Sequence, residues 1–310
     1  MKPIVILGIF VADTAYRAER MPKLGETILG RTFALGPGGK GSNQAVAAAM
    51  AQAGTEGRTH FLTRLGNDDF AAIARATWAK AGVLPEVTVD RDSYTGAAFI
   101  FLEEASGNNA IIVAPGAAAR ITPDDLAAKA ELIRGASVFV TQLEQPIPAA
   151  RAGLEIARAA GVTTILNPAP AAALDDALLA LCDYVTPNET EAEALTGLPV
   201  TSLAEAELAA DALLARGVGA VVITLGGNGA LYRDRERSVH VPVISAGPVV
   251  ETTGAGDAFN GGFAVALSEG RDVVAAVRFG CATAGISVTR AGTAPAMPAR
   301  AEIEALLARS

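Results

Sequence analysis

The sequence predicts an α/β fold in which a mostly parallel β-sheet carries helices on both faces and is joined by a small additional sheet. Three observations support this prediction. Short apolar runs alternate with Ala-, Leu- and Glu-rich segments, two further segments interrupt that alternation, and 51% of the 310 residues are hydrophobic against 19% charged. A chain of this length and composition can bury a large core. Because its motifs are evenly spread, we expect one domain over residues 1–310.

The alternation of apolar and helical segments orders the main elements. Strands buried on both faces of a parallel sheet are continuous apolar runs, and such runs occupy residues 4–7, 138–140, 162–166 and 221–224. The N-terminal strand is expected to continue to Asp13. Helices are expected over residues 124–134, 148–160 and 203–216. The resulting βα series is typical of a parallel sheet covered on both sides.

Two segments, at about residues 14–35 and 95–114, interrupt the βα series. The second contains an alternating run followed by a turn at residues 106–109 (Ser-Gly-Asn-Asn), which is typical of a β-hairpin. Because both segments lie outside the series, we expect the two hairpins to pair into a small sheet over the strand ends. Open α/β folds bind ligands at those ends, so this small sheet is predicted to act as a lid.

Charge and cysteine content exclude several classes of protein. The net charge of −8 argues against nucleic acid or an anionic membrane as a partner, because both attract dense Lys and Arg. No apolar run reaches the ~18 residues that a membrane-spanning helix requires. Cys182 and Cys281 are too few and too far apart for a disulfide framework or a zinc site. We therefore expect a cytoplasmic location.

Residues 251–262 indicate the chemistry most directly. Gly254, Ala255 and Gly256 allow a tight turn, and the apolar pattern after Asp257 predicts a buried helix, so the turn amides form an anion cradle at its N-terminus. Asp257 is then placed to take a proton from a hydroxyl that attacks a phosphoryl group. This is the layout of a kinase. The structural alternative is an ordinary acidic residue that stabilises a helix start.

Asn188 and Glu191 lie three residues apart at the start of another predicted helix, so their side chains can share one face. The pattern fits a polar site on that face. It fits a helix N-cap beside a solvated acidic face equally well, and the spacing alone leaves both interpretations open.

Gly36, Gly38 and Gly41 spell Gly-x-Gly-x-x-Gly, a pattern that also occurs in dinucleotide-binding folds. Here it follows a predicted hairpin and not the first strand. A dinucleotide site is therefore disfavoured, and Gly41 directly after Lys40 rules out a Walker-type phosphate loop.

A set of short motifs from Asp13 to Gly292 resembles the ribokinase family of carbohydrate kinases. They occupy residues 38–44 (GGKGSNQ), 95–98 (TGAA), 107–109 (GNN), 142–144 (QLE), 167–170 (NPAP), 186–191 (TPNETE), 224–229 (TLGGNG) and 254–257 (GAGD). The resemblance covers essentially the whole chain. It implies a three-layer α/β/α fold with a β-sheet lid, and transfer of the γ-phosphoryl group of ATP to the primary hydroxyl of a pentose, with D-ribose and ribose 5-phosphate as the expected substrate and product.

The resemblance also implies roles for individual residues. Catalysis would use Asp257 as the base and Gly254, Ala255 and Gly256 as the anion hole. The expected sugar contacts are Asp13, Gly39, Lys40, Asn43, Glu144 and Asp257. The expected ATP contacts are Asn188, Thr224, Leu225, Gly226, Gly227, Asn228, Gly229, Gly256, Asp257 and Cys281.

Two cations and a homodimer are implied by the same resemblance. Mg²⁺ would be held near Asn188 and Glu191, mainly through water. K⁺ would be held by Glu251, Thr253, Ser287, Arg290, Gly292 and Ala296. In this set Glu251 stands where the family typically has Asp, and Ala296 where it often has a hydroxyl residue. Dimers would form through the lids.

The identity of the sugar and two other functions stay open. Val11 lies where family members usually carry Asn, and an apolar side chain cannot bind a hydroxyl, so 2-deoxyribose, another sugar or a nucleoside are alternatives. A noncatalytic sugar or nucleotide sensor is a second hypothesis, although a sensor has no need of a base at Asp257. A dehydrogenase is a third and predicts nicotinamide binding.

Overall fold

A computed structural model describes residues 1–106 and 108–310. Gly107, part of the predicted turn and of the 107–109 motif, lies outside the described residues. Within the described residues, the nine strands of the main sheet are β1 Ile4–Leu7, β4 Thr59–Leu65, β5 Leu84–Val89, β8 Val138–Thr141, β9 Thr163–Leu166, β10 Tyr184–Val185, β11 Ala220–Thr224, β12 Ala230–Arg233 and β13 Ser238–Val241. They lie in the order β13-β12-β11-β10-β9-β8-β1-β4-β5. All neighbours are parallel except the β11–β12 and β12–β13 pairs.

Helices cover both faces of this sheet. The two faces can be read from β1, where Ile4 and Ile6 belong to one buried cluster and Val5 and Leu7 to the other, as the two-residue period of a strand requires. Each fully buried Ile or Leu contributes about 1.5–3 kcal/mol. The helices are α1 Lys40–Ala51, α2 Asp69–Ala81, α3 Pro123–Ala127, α4 Ala130–Arg134, α5 Ile147–Ala159, α6 Asp176–Leu179, α7 Glu189–Thr196, α8 Leu203–Ala215, α9 Ala255–Ser268, α10 Val273–Ser287 and α11 Arg300–Leu307.

The small sheet contains both predicted hairpins. Its strands are β2 Val11–Ala18, β3 Thr32–Gly38, β6 Thr95–Glu103 and β7 Asn109–Gly116. β2 pairs antiparallel with β3, β6 pairs antiparallel with β7, and β2 joins the two hairpins through a parallel pairing with β6. The predicted hairpins and their association into one sheet are confirmed.

Two sequence-based boundaries were wrong. The first strand does not run to Asp13: β1 ends at Leu7, and Asp13 lies in β2 of the small sheet. The chain leaves the main sheet at Gly8, where a Cβ would lie 2.7 Å from the Cα of Gly41, so only glycine allows α1 to pass this closely. The helix predicted over 124–134 is two helices, α3 and α4, which meet at Lys129 with a nonhelical φ of −111°.

No helix in residues 1–106 and 108–310 is both long enough and apolar enough to cross a membrane.

Candidate active site

The turn before α9 places Asp257 at the carboxyl end of the parallel strands. Gly254 caps the helix with φ of 79°, a conformation that other residues adopt only with strain. The amide of Ala255 donates to the carbonyl of Thr252 at 3.1 Å, whereas the amides of Gly256 and Asp257 have no acceptor among the described residues. Two free amides at a helix N-terminus form a site that favours an anion.

The carboxylate of Asp257 is buried and held on both oxygens. Asn43 Nδ2 donates to Oδ2 at 3.0 Å and Gln44 Nε2 donates to Oδ1 at 3.1 Å. Burial raises the pKa of Asp257, and the charge of Lys40 and the two amide donors oppose that rise. The predicted base therefore sits where its proton affinity is increased and its orientation is fixed.

The N-terminus of α1 brings the predicted sugar-binding residues beside Asp257. Gly39 precedes the helix with φ of 89°, and a Cβ there would lie 2.5 Å from the carbonyl oxygen of Ile9. The backbone amide of Lys40 donates to Glu144 Oε2 at 2.7 Å, which connects α1 to the segment after β8. The start of α1 and its hydrogen bonds to Glu144 and Asp257 therefore bring together five of the six predicted sugar contacts, all but Asp13.

Asp13 reaches the same region from β2. A Cβ on Gly38 would lie 2.3 Å from each of its carboxylate oxygens, so glycine is required for Asp13 to fit against β3. Burial raises the pKa of Asp13 to about 6. The site therefore contains a residue of the small sheet as well as residues of the main sheet and its helices.

Three carboxylates surround the one lysine of this site. Burial lowers the pKa of Lys40, but the charges of Asp257, Glu144 and Glu191 outweigh it and the net shift is upward. Burial raises the pKa of Glu144 to about 7, against the lowering effect of Lys40. Lys40 is therefore firmly charged, and Glu144 titrates near neutral pH.

Two cavities meet at the turn before α9. The smaller, of about 130 Å³, lies beside Asp257 and contains Lys40 and Glu191. The larger, of about 350 Å³, lies between the loop after β11 and helices α9 and α10. Asn188, Thr224 and Gly256 line both cavities. A ligand in the larger cavity can therefore extend to Asp257.

Asn188 and Glu191 form the start of α7 as a reciprocal capping pair. Asn188 Oδ1 accepts from the Glu191 amide at 2.8 Å, and Glu191 Oε2 accepts from the Asn188 amide at 2.9 Å. Both residues also line the smaller cavity, and burial raises the pKa of Glu191. The geometry therefore contains the helix cap and also places both residues on the wall of the smaller cavity, and their binding role stays a prediction.

The residues predicted to bind K⁺ lie partly together. Glu251 Oε2 accepts from the Gly292 amide at 2.7 Å, and Thr253 directly precedes Gly254. The side chain of Arg290 instead pairs with Glu302 on α11. The side-chain hydroxyl of Ser287 donates to Ala284 within α10, and Ala296 is buried.

The predicted ATP-binding segment is only partly at the larger cavity. Thr224, Gly226, Gly227, Gly229 and Cys281 line it, whereas Leu225 and Asn228 do not. Leu225 is buried in the core, and the carbonyl of Asn228 lies 2.7 Å from His240 Nε2. Burial raises the pKa of the Cys281 thiol to about 12, which leaves it neutral.

Several site residues were not identified from the sequence. Gln44 and Asn167 lie in motifs that were recognised without a role for these two side chains. Most of the larger cavity is apolar, and no sequence motif marks the side chains that form its wall: Val243, Ile244, Val249, Phe259, Ala284 and Val288. A catalytic motif has a recognisable spacing, whereas an apolar wall looks like any buried surface.

The loop after α10 also connects this site to the small sheet. Thr293 Oγ1 donates to the carbonyl of Pro37 in β3 at 3.0 Å. A Cβ on Gly254 would lie 3.3 Å from the Thr293 side chain. Thr293 therefore bonds a strand of the small sheet and lies close to the position that a side chain at residue 254 would occupy.

Comparison with known proteins gives consistent matches over the full chain. A model of the pfkB family carbohydrate kinases matches residues 1–300. The chain is 36% identical over 302 residues to ribokinase from Haemophilus influenzae, covering 97% of each protein. It is also 36% identical over 298 residues to deoxyribokinase from Salmonella typhi, covering 95% of each.

A solved structure is similar over the same extent. The Arabidopsis thaliana ribokinase complexed with ribose and ATP superimposes with a TM-score of 0.92 at 32% identity, covering 99% of this chain and 98% of that one. This similarity confirms the three-layer α/β/α fold with a separate small sheet.

Proposed function

The chain belongs to the pfkB family of carbohydrate kinases, and we propose that this phosphotransferase moves the γ-phosphoryl group of ATP to the primary hydroxyl of D-ribose. The observation that carries the proposal is the position of Asp257. It is buried beside two free helix amides, at the point where the two cavities meet. An acceptor hydroxyl, a base and a phosphoryl group can be brought together there.

In the proposed reaction the sugar oxygen forms a bond to the γ-phosphorus while the bond from that phosphorus to the β,γ-bridging oxygen breaks. Asp257 takes the hydroxyl proton. The turn from Gly254 to Asp257 stabilises the charge that develops on the phosphoryl oxygens. ADP and the sugar phosphate are the products.

The sugar is proposed to bind between β2 and the start of α1, in contact with Asp13, Gly39, Lys40, Asn43 and Glu144. Asn43 Oδ1 supports this placement, because it is buried without a hydrogen-bond partner among the described residues. Such an acceptor is costly unless a ligand supplies a donor. A sugar hydroxyl is a suitable donor.

ATP is proposed to occupy the larger cavity, with its base against the apolar wall and its phosphates towards Gly256. The lining of the cavities agrees with this orientation: Val249, Ala284 and Val288 line the larger cavity and not the smaller one, whereas Asn188 and Thr224 line both. Leu225 and Asn228 would support the loop after β11 and not contact the nucleotide.

Mg²⁺ is proposed to bind near Asn188 and Glu191, mainly through water. Glu191 has one carboxylate oxygen, Oε1, outside the capping pair. Within residues 1–106 and 108–310 no cluster of three or more His, Cys, Asp or Glu side chains forms a metal cage, and magnesium commonly keeps several waters and uses substrate phosphates. When bound, Mg²⁺ would neutralise phosphate charge.

The K⁺ site is proposed on Glu251, Thr253, Ser287, Gly292 and Ala296, acting largely through backbone carbonyls. Glu251 fits because one of its oxygens is outside the bond to Gly292. Arg290, whose guanidinium pairs with Glu302, could contribute only its carbonyl. Rates measured with and without potassium test the site, and equal rates contradict it.

A homodimer is proposed through the small sheet, because one of its faces carries four large exposed apolar side chains: Tyr16, Phe33, Leu35 and Ile112. Apolar patches of this kind commonly mark interfaces. Sedimentation of the wild type and of Ile112→Asp tests it, since only the wild type should dimerise. The expected cytoplasmic location stays a prediction.

Val11 favours 2-deoxyribose as a second candidate substrate. It is buried in an apolar cluster with Ala98 and lies two residues from Asp13 on the same face of β2. An ADP-release assay over ribose, 2-deoxyribose, fructose and adenosine decides between the sugars. Sugar binding without ADP release would support a sensor, and nicotinamide binding would support a dehydrogenase.

A further inference from the structure

A closed ring of buried and partly buried hydrogen bonds includes the carboxylate of Asp257. Gln44 Nε2 bonds both Asp257 Oδ1 at 3.1 Å and Asn167 Oδ1 at 3.0 Å. Asn167 Nδ2 donates to the carbonyl of Thr186 at 2.9 Å, and Thr186 Oγ1 donates to Asn260 Oδ1 at 2.7 Å. Asn260 Nδ2 then donates to the Gly256 carbonyl at 2.8 Å. Because Gly256 is bonded covalently to Asp257, the ring closes on the turn itself.

The orientation of Gln44 is set from outside this ring. Gln142 Nε2 donates to Gln44 Oε1 at 2.7 Å. With its oxygen engaged there, the amide of Gln44 must present its two N–H groups to the acceptors Asp257 and Asn167. Gln44 and Gln142 have no exposed surface, so water does not compete for these bonds.

We propose that Gln44 is a positioning residue for phosphoryl transfer, which holds the carboxylate of Asp257 in the orientation that accepts the hydroxyl proton. The inference rests on the proposed function, in which Asp257 is the base. Gln44 does not line either cavity, so it acts through Asp257 and not on a ligand. Its two bonds also hold the carboxylate of Asp257 in a fixed position relative to the anion turn, since the ring includes Gly256.

The charged groups around Asp257 determine how its pKa responds when the Gln44 side chain is replaced. The charged groups facing it are Lys40 from α1, Glu144 from the segment after β8 and Glu191 from α7, while Asp13 of β2 acts on Glu144. None of them replaces the bond to Oδ1. Without that donor the carboxylate is freer to rotate and binds a proton more strongly.

The experiment compares Gln44→Leu and Gln44→Glu with Gln52→Leu in the full-length enzyme. Gln52 is a matched control: it directly follows α1, at the opposite end of the helix from Gln44, is 4% exposed, and its Oε1 accepts from the Thr59 hydroxyl at 2.8 Å. Gln44→Glu keeps the shape of the side chain and replaces the donor with an acceptor, so it decides the question if Gln44→Leu does not fold.

Both Gln44 variants should lower kcat by ~10- to 100-fold, because a misoriented base loses much of its effect. The KM for the sugar should change far less, and the acidic limb of the kcat–pH profile should move by about one unit to higher pH. Gln52→Leu should lose thermal stability and keep the kcat and the pH profile of the wild type.

A folded Gln44→Glu enzyme with wild-type kcat and pH profile overturns the inference, as does an equal loss of kcat in Gln52→Leu. Asp257→Asn separates this failure from failure of the proposed function. If Asp257→Asn is inactive while Gln44→Glu behaves as the wild type, only the positioning role is wrong. If Asp257→Asn retains full kcat, the proposed base is wrong and the role of Gln44 falls with it.

Discussion

The two cavities that meet at Gly256 are built in opposite ways. Around the smaller one, polar side chains are buried and hydrogen-bonded to one another, as in the bonds from Asn43 and Gln44 to Asp257. The larger one is lined mainly by apolar side chains, and some of them, such as Val249, are largely exposed. The comparison indicates that the smaller cavity fixes the orientation of its polar side chains, whereas the larger cavity offers apolar contact area to a ligand.

The largest expected effect comes from the base. Asp257→Asn keeps the shape of the side chain and removes the proton acceptor, so kcat should fall by at least ~100-fold. The KM for the sugar should change much less. Steady-state kinetics of the folded variant check this, and a rate close to that of the wild type would contradict the division of roles between the cavities.

The buried carboxylates of the smaller cavity should make stability depend on pH. The folded pKa of Glu144, about 7, and that of Asp13, about 6, lie above their ordinary values, so the neutral forms are favoured in the folded state. Their contribution to the free energy of unfolding is fully present below about pH 4, where both groups are neutral in the folded and the unfolded state. It is lost as the pH rises to about 7, because the unfolded chain releases these protons more readily than the folded one. For Glu144 this loss of stability is on the order of 3 kcal/mol, since its pKa rises from 4.5 to about 7.

Glu144→Gln tests this pH dependence, because the amide cannot titrate. Thermal melts of the ligand-free enzyme from pH 5 to pH 8 should show a smaller loss of Tm in the variant than in the wild type. Parallel curves for the two proteins would show that Glu144 is not held neutral.

The turn that joins the two cavities should be sensitive to its backbone conformation. Gly254→Ala places a Cβ on a residue with φ of 79°, and that Cβ would lie 3.3 Å from Thr293. The strain of about 1–2 kcal/mol should distort the turn and lower kcat by about 10-fold. Gly270→Ala, also at positive φ but in open space, is the control for stability and should retain kcat.

The smallest effect is expected at the apolar wall. Val249→Ala should raise the KM for ATP by less than about 10-fold, because the nucleotide base would cover two fewer carbon atoms of this largely exposed side chain, a loss of about 1 kcal/mol. Val250→Ala is the matched control, since Val250 is 63% exposed against 65% for Val249 and does not line the cavity. Equal KM values for the two variants would place the nucleotide base elsewhere.

The contrast between the cavities also explains what the sequence could predict. The strands, both hairpins and the position of Asp257 follow from local patterns of apolar, small and acidic residues. The end of the first strand was missed because the apolar run continues from one sheet into the other past Gly8. The hydrogen bonds of Gln44 and the apolar wall around Val249 join residues that are distant in sequence, so no local sequence pattern predicts them.

The hydrogen bond between Thr293 and Pro37 couples the small sheet to the neighbourhood of the phosphate end of the site. Thr293 is also the side chain that a Cβ on Gly254 would approach to 3.3 Å. We therefore expect a substitution of Thr293 to disturb both the small sheet and the turn that would receive the phosphoryl group.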